Sequence, residues 1–301
     1  MKTIAILVSR NMLPGTAEAR EDQFELEEQM SKIVPAFAAF GMTATTLLWN
    51  DCAESAADYD AILPLFIWDY FETGNLKLFL AQIDAAAQKT KVFNPPRLLR
   101  WNTDKRYLDE LGTRGAPVIP AKIVNHATPE IIIAACDEFA CDKLVIKPLV
   151  GGGAWRQALY TRGTIMPEPD KLPPGEAILQ PFVPSVLTEG EYSFLYFDGQ
   201  FSHAVNKRPK DGDYRIQSIY GGREMPYSPT QTERAVAEEI LGYIDNMPLY
   251  ARVDLLRGED GTLKLIELEM VEPYLYMNFA DGDGGDNTAA KMLAQKLSMR
   301  L

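Results

Sequence analysis

The chain has 301 residues, 47% of them hydrophobic and 24% charged, a composition that supports a sizeable core and leaves room for two or three domains. Its formal net charge of −12 argues against a general nucleic-acid binder, which needs a basic surplus to neutralise phosphates, but not against a local basic pocket for a small anion. No segment approaches about 20 consecutive apolar residues, so no membrane span is expected.

The first apolar run, residues 2–8, is short and is interrupted by Ser9 and Arg10, so it reads as a β-strand rather than a signal peptide. Cys52, Cys136 and Cys141 form no CxxC pair and leave an odd one out. Reduced thiols in the cytoplasm are the simplest expectation. Phe24, Met30, Ile33, Val34 and Phe37 recur at helical spacing, with Gly41 as a stop. Strands near 44–49 and 60–67 and a helix over 75–88 follow, an alternation that predicts a parallel sheet covered by helices. This first α/β domain is placed at 1–97, ending at Pro95-Pro96.

A second unit, 98–183, opens with a helix capped by Asn102 or Thr103 and stopped by Gly112. It continues with a helix near 128–139, a strand ending at Lys147, and a strand at 177–183. The third unit, 184–301, holds two hairpins with Asp198-Gly199 and Asp260-Gly261 at their turns, a helix near 230–243 between them, and a terminal helix over 287–299.

Several absences weaken the dehydrogenase, zinc-enzyme and serine-hydrolase readings. There is no GxxxxGK[ST] phosphate loop, no GxGxxG after the first strand, no HExxH, no GxSxG and no Cys/His zinc cluster. The two histidines, His126 and His203, read as ordinary surface or hairpin residues.

The second hairpin carries the sharpest signal. A two-residue turn at Asp260-Gly261 sets Asp254 opposite Glu267 and Arg252 opposite Glu269. These four side chains then share one face, while Val253, Leu255, Ile266 and Leu268 face a core. Three converging carboxylates repel unless a cation sits among them, and hard oxygen donors suit Mg²⁺ or Mn²⁺ accompanied by phosphates. The same pattern also describes a solvated face on which Arg252 pairs with Glu269, and a one-residue slip would scatter the set.

Lys147 ends an apolar strand and is followed by Gly151, Gly152 and Gly153. A strand-end lysine reaches a phosphate as a point charge, and a glycine loop approaches phosphates closely and closes as a lid. A tight turn beside a snorkelling lysine is the plainer alternative. Lys207, Arg208, Lys210, Arg215 and Arg223 form a basic island in an acidic chain, either a clamp for a transferring phosphoryl group or a solvated loop.

Taken in order, these features resemble an ATP-grasp protein. The likeness runs from about Trp101 to Pro273 through Asp104-Lys105, IKP at 146–148 with its glycine loop, LQPFV at 179–183, GEYSFLYFDGQFSHAV at 190–205, GG at 221–222, RVD at 252–254 and IELEMVEP at 266–273. RWNTDKRYL, ILQPFV and RVDLLR are most similar to the D-cycloserine synthetase-like branch, related to bacterial glutathione synthetases. The resemblance implies an ATP-grasp fold, mixed α/β, preceded by a Rossmann-like α/β domain. It implies that Lys105 and Lys147 hold ATP phosphates under Gly151, Gly152 and Gly153, that Gln180, Phe182 and Val183 face adenine, and that Glu191 lies on the ribose side. Asp254, Glu267 and Glu269 would hold Mg²⁺, or Mn²⁺, while Arg252, Arg215 and Lys207 would stabilise transferred phosphate. Glu269 departs from the asparagine common in relatives, and the segment from Pro273 to Gly285 has no clear assignment.

The implied activity is an ATP-dependent carboxylate–amine or cyclising ligase acting through an acyl phosphate on a small amino-acid-like substrate. Small carboxylate and amine substrates are the expected partners, with Ser9-Arg10 and Trp68-Asp69-Tyr70 as candidate substrate contacts. A homo-oligomer is compatible with the resemblance, although the sequence marks no interface. A phosphotransferase using the same cleft and a nucleotide-binding protein without turnover are the rivals.

Overall fold

A computed structural model describes residues 1–216, 220–281 and 285–301. Parts of the basic island and of the Pro273–Gly285 segment thus lie outside the described residues.

The first 94 residues form a four-stranded parallel sheet of order β2-β1-β3-β4. Its elements are β1 (Lys2–Val8), α1 (Phe24–Ala39), β2 (Met42–Leu48), α2 (Cys52–Ser55), β3 (Ala61–Phe66), α3 (Asn75–Ala86) and β4 (Lys91–Val92). Strand β1 is apolar from Ile4 to Val8, where it is buried on both faces, as parallel strands under helices are. Ile4, Ile6 and Val8 pack with Ile33 and Phe37 of α1, while Ala5 and Leu7 pack with Trp49, Phe79 and Ile83 on the opposite side. In α1 the periodic set is only partly buried: Ile33 and Phe37 are in the core, whereas Phe24 and Val34 are exposed.

The chain then forms α4 (Pro96–Asn102), α5 (Arg106–Thr113), β5 (Lys122–Val124), α6 (Pro129–Glu138), β6 (Lys143–Pro148), β7 (Ala158–Thr161) and β8 (Ala177–Pro181), with an antiparallel sheet of order β5-β8-β6-β7. The expected cap at Asn102 or Thr103 is not used. Asn102 ends α4, and α5 begins after Lys105 and runs past Gly112. The Asn102 amide instead donates to Leu268 O at 2.7 Å and accepts from Met270 N at 2.8 Å. A buried backbone without strand partners outcompetes a helix end that water can satisfy.

The remaining elements are α7 (Ser185–Thr188), β9 (Glu191–Phe197), β10 (Gln200–Arg208), β11 (Arg223–Tyr227), α8 (Gln231–Gly242), β12 (Tyr250–Arg257), β13 (Leu263–Glu269) and α9 (Thr288–Arg300). The strands form a five-stranded antiparallel sheet of order β11-β10-β9-β12-β13. Asp198 and Gly199 both take positive φ, 50° and 73°, as a tight two-residue hairpin requires. The terminal helix α9 packs back on the first domain, its Ala290, Leu293 and Leu297 sharing a core with Ile33 and Phe37. The short strands β4, β5, β7 and β11 carry too few residues for a pattern and had no counterpart among the elements expected from sequence.

The second hairpin reaches the expected pairing by a different route. Its connection is longer than two residues: Arg257 pairs with Leu263, and the Gly258 amide donates to Thr262 O at 2.8 Å. That register is one residue off. A bulge between Asp254 and Leu255 restores it, so that Asp254 lies opposite Glu267 and Arg252 opposite Glu269. The bulge turns Ile266 to the same side as Glu267. Ile266 joins a small apolar cluster with Ile119, Val186, Ile216 and Leu256, and Leu265 takes its place in the main core with Val253, Leu255 and Leu268.

Candidate active site

One cleft, of about 1000 Å³, is lined by residues from all three regions. Its floor is the β12–β13 hairpin. Arg252, only 6% exposed, donates from Nε and Nη2 to Asp254 at 3.0–3.1 Å and from Nη2 to Glu269, and its Nη1 donates to Tyr274 O at 3.2 Å. Asp254 also accepts from Ser193 Oγ and lies 3.5 Å from Lys207 Nζ. Burial pushes the Asp254 carboxyl up, but Arg252 and Lys207 outweigh it and hold the group below its ordinary range. Lys207, expected in a loop, is the penultimate residue of β10 and is buried against Glu191 at 2.5 Å.

Lys105 and Lys147 lie over this floor and differ in a useful way. Lys105 Nζ donates to Gly151 O at 2.6 Å and pairs with Glu267 at 3.0 Å. Burial alone would lower its pKa, yet Glu267 keeps it above the ordinary lysine value. Lys147 is equally buried, but its ammonium forms no ion pair or hydrogen bond among the described residues. Burial draws its pKa down, and Glu267 only partly offsets this. A buried ammonium without a partner is costly, and a phosphate would remove that cost. The glycines form the adjoining cover: a Cβ on Gly151 would lie 2.9 Å from Pro148 Cγ, and Gly153 has φ +58°.

The other expected residues divide. Glu191 lines the cleft with Lys207, whereas Gln180, Phe182 and Val183 lie beside it. Gln180 is fully buried, its amide within 3.5 Å of Ile119 O, and its Oε1 has no partner. Phe182 and Val183 pack on the Ile119–Ile266 cluster, an apolar patch next to that free acceptor. Arg215 is not brought into the cleft: it binds Asp213 at 2.7 Å and stacks on Tyr220, whose hydroxyl reaches Gly153 O at 3.4 Å. Local pairing with an acid two residues away captures its guanidinium. Of the candidate substrate contacts, Trp68 lines the cleft. Ser9 is a buried turn residue, Arg10 is exposed, and Asp69 accepts from Trp49 Nε1 at 2.8 Å. Tyr70 packs with Phe79. His126 is exposed, and His203 binds Leu275 O and Tyr276 O, outside the cleft lining.

Apart from Trp68, sequence reasoning missed the first-domain residues that line the cleft. Arg20 donates twice to Asp22 at 2.7 Å and lies 4.8 Å over the Trp68 ring, and Glu25 sits one turn further at the start of α1. Glu224 of β11, Glu272, Tyr274 and Tyr276 complete the wall. Burial pushes Glu272 up to about 8, with Lys105 only partly opposing. Only the acids after IELE carried a signal; nothing in the spacing of Arg20, Asp22 and Glu25 marks a site.

Comparison with known proteins decides the family. The family model for the D-cycloserine synthetase DcsG N-terminal domain matches residues 4–94. The cycloserine biosynthesis protein DcsG of Streptomyces lavendulae is 30% identical over 295 residues, covering 92% of this chain and 95% of that protein. The chain belongs to the D-cycloserine synthetase family of ATP-grasp ligases. The crystal structure of D-cycloserine synthetase DcsG superposes with a TM-score of 0.81 at 28% identity, covering 99% of each chain. The ATP-grasp ligase PsnB, solved with a precursor variant, Mg and ADP, shares the fold with a TM-score of 0.62 at 15% identity over 97% of this chain and 98% of that one. The fold is accordingly the ATP-grasp fold preceded by a Rossmann-like domain, and the chain is an enzyme that forms amide-type C–N bonds with ATP.

The residues present fit a divalent metal by their chemistry, although their side chains are not gathered around one. Among the described residues no three His, Cys, Asp or Glu groups form a metal cage; Arg252 bridges Asp254 and Glu269, and Lys105 pairs with Glu267. The acids are nevertheless under-compensated. Glu269 Oε2 is buried with no partner, and burial pushes the Glu269 carboxyl well above its ordinary range despite Arg252. Oxygen donors left in that state suit Mg²⁺.

Proposed function

We propose that the chain activates a small carboxylate by phosphorylation and joins it to an amine, or cyclises it, with release of ADP and phosphate. Lys147 is the observation that carries this reading: a buried, unpaired ammonium beside a glycine cover and facing a carboxylate hairpin. Lys105 and Lys147 would bind the ATP phosphates, and Gly151, Gly152 and Gly153 would close over them. The free Gln180 Oε1 would accept from the adenine amino group, with Phe182 and Val183 against the ring and Glu191 toward the ribose. Asp254, Glu267 and Glu269 would hold Mg²⁺, or Mn²⁺, which when bound neutralises charge on the β- and γ-phosphates.

The substrate carboxylate would attack the γ-phosphorus, breaking the bond to the β-phosphate oxygen and giving an acyl phosphate and ADP. An amine would then attack the acyl carbon and expel phosphate, losing its proton. Arg252 and Lys207, already fixed by Asp254, Glu269 and Glu191, would orient and stabilise the charge that develops on transferred oxygen. For Arg215 to join them, it would have to leave Asp213 when the loop closes. Closure of the glycine segment would exclude water from the acyl phosphate. Residues 1–97 would supply the substrate side, 98–183 the cover and 184–301 the metal floor.

The test is ADP and phosphate release with ATP and Mg²⁺ across a panel of small carboxylates and amines, singly and in pairs. Phosphate release that needs a carboxylate and rises with an amine, or with one compound that cyclises, supports the reading. A stable phosphorylated product would convert it to a phosphotransferase, and bound ATP with no release under any pair would leave a binding protein.

A further inference from the structure

The segment after Glu272 has no assignment from sequence, and its described residues form a strap between α1 and two buried cations of the cleft. Tyr276 has φ +48°, a left-handed conformation that a bulky side chain takes only when its surroundings impose it. They do so from two sides. His203 Nε2 lies 3.0 Å from both Leu275 O and Tyr276 O. Ser202 Oγ lies 2.9 Å from Nδ1, so the hydroxyl donates there and the ring proton sits on Nε2, facing the two carbonyls. From α1, Gln29 Oε1 accepts from Leu275 N at 2.9 Å, and Glu28 Oε1 accepts from the Tyr274 hydroxyl at 2.7 Å.

The turn delivers two groups to Arg252. Tyr274 O accepts from its Nη1 at 3.2 Å, and the Tyr276 ring, itself buried, lies 5.6 Å from its Cζ and 5.9 Å from Lys207 Nζ. A desolvated cation over a π-face is held electrostatically. These contacts differ in kind from the carboxylate ones. On the ligase reading Asp254 and Glu269 also serve Mg²⁺, so a metal competes with Arg252 for their oxygens. Tyr274 O and the Tyr276 ring stand outside that donor set.

We propose that Tyr276, locked in its left-handed turn by His203, is a positioning residue that keeps Arg252 and Lys207 aimed at the transferred phosphoryl group while the carboxylates hold metal. This rests on the ligase reading for the role of Arg252. Calorimetry on the full chain measures Mg·ADP binding with and without beryllium fluoride, a tetrahedral anion that takes the place of the transferred phosphoryl group and needs no acceptor. In the unsubstituted chain beryllium fluoride should tighten ADP by about tenfold or more, and Arg252→Gln should remove most of that gain. Tyr276→Leu keeps apolar bulk without a π-face and should cut the gain at least about fivefold, the size of a desolvated cation–π contact, with affinity for Mg·ADP alone unchanged. His203→Leu, which takes away the donor that locks the turn, should do the same. Tyr276→Phe, which keeps the ring, and His203→Gln, which keeps a side-chain N–H donor, should retain the gain. A full gain in Tyr276→Leu, or equal losses with and without beryllium fluoride, overturns the proposal alone. No gain in the unsubstituted chain, or a full gain in Arg252→Gln, removes the phosphoryl role of Arg252 and the proposal with it.

Discussion

Asn102→Ala should be among the most damaging single changes outside the cleft. Strand β13 is an edge strand; on its outer side Leu265 is bridged by Pro117 and Ile119, but no strand reaches Leu268 or Met270 among the described residues. Asn102 supplies two partners, at 2.7 Å to Leu268 O and 2.8 Å from Met270 N, and Tyr107 Oη accepts from Leu268 N at 2.9 Å. Leu268 and Met270 are 1% and 0% exposed, so water cannot replace the lost amide. Two buried backbone groups left unsatisfied at about 1–3 kcal/mol each predict a loss of about 2–6 kcal/mol, and Tyr107→Phe, which removes one acceptor, about 1–3 kcal/mol. Urea unfolding followed by tryptophan fluorescence measures both as midpoint shifts. Because Glu267 and Glu269 flank Leu268, Asn102→Ala should also weaken Mg²⁺-dependent nucleotide binding. A loss below about 1 kcal/mol with an unchanged slope would show that Asn102 does not hold this edge.

Three other side chains give expectations of their own. His203 is held neutral by burial, its pKa lowered to about 4 although its Nε2–H donates to Leu275 O and Tyr276 O. Between pH 6.5 and 4 the unfolded chain binds the extra proton, so stability should fall with pH there by about 3 kcal/mol, and His203→Gln should flatten that slope in acid-unfolding curves. Lys147→Met should lower ATP affinity by about tenfold or more in calorimetry while leaving thermal stability equal or higher, because it removes a buried charge with no partner in the free protein; an unchanged affinity would remove Lys147 from the phosphate site. Glu267→Gln should cut substrate-stimulated ADP release on the order of 100-fold, and full activity would sink its assignment as a metal ligand.

Much of the architecture was legible because its signals are periodic or local. Strand β1 is apolar from Ile4 to Val8, the Asp198-Gly199 turn dictates its hairpin, and the Arg252–Glu269 and Asp254–Glu267 pairs fall where alternation puts them. The agreement at the second hairpin conceals two compensating features, a longer connection and a bulge. Neither can be counted from sequence, and together they reverse Ile266 while sparing Glu267. Asn102 misled because a polar residue before a helix reads as a cap unless the partnerless edge strand is known. Trp68 apart, the site's first-domain wall was invisible for a related reason. Arg20, Asp22 and Glu25 reach the cleft only through the packing of α1 and the loop before it, and their contacts with Trp68 and the Glu224 wall are set by tertiary structure. Arg215 shows the converse: its charge was legible, but its capture by the acid two residues away was not.

Whether this cleft moves a phosphoryl group onto a substrate carboxylate is decided by oxygen tracing. The carboxylate that stimulates ADP release is supplied with ¹⁸O in its carboxyl group, and the released phosphate is analysed by mass spectrometry. One ¹⁸O per phosphate is expected, carried from the carboxylate through the acyl phosphate. Phosphate that emerges unlabelled, with its fourth oxygen taken from water, would contradict phosphoryl transfer to the carboxylate.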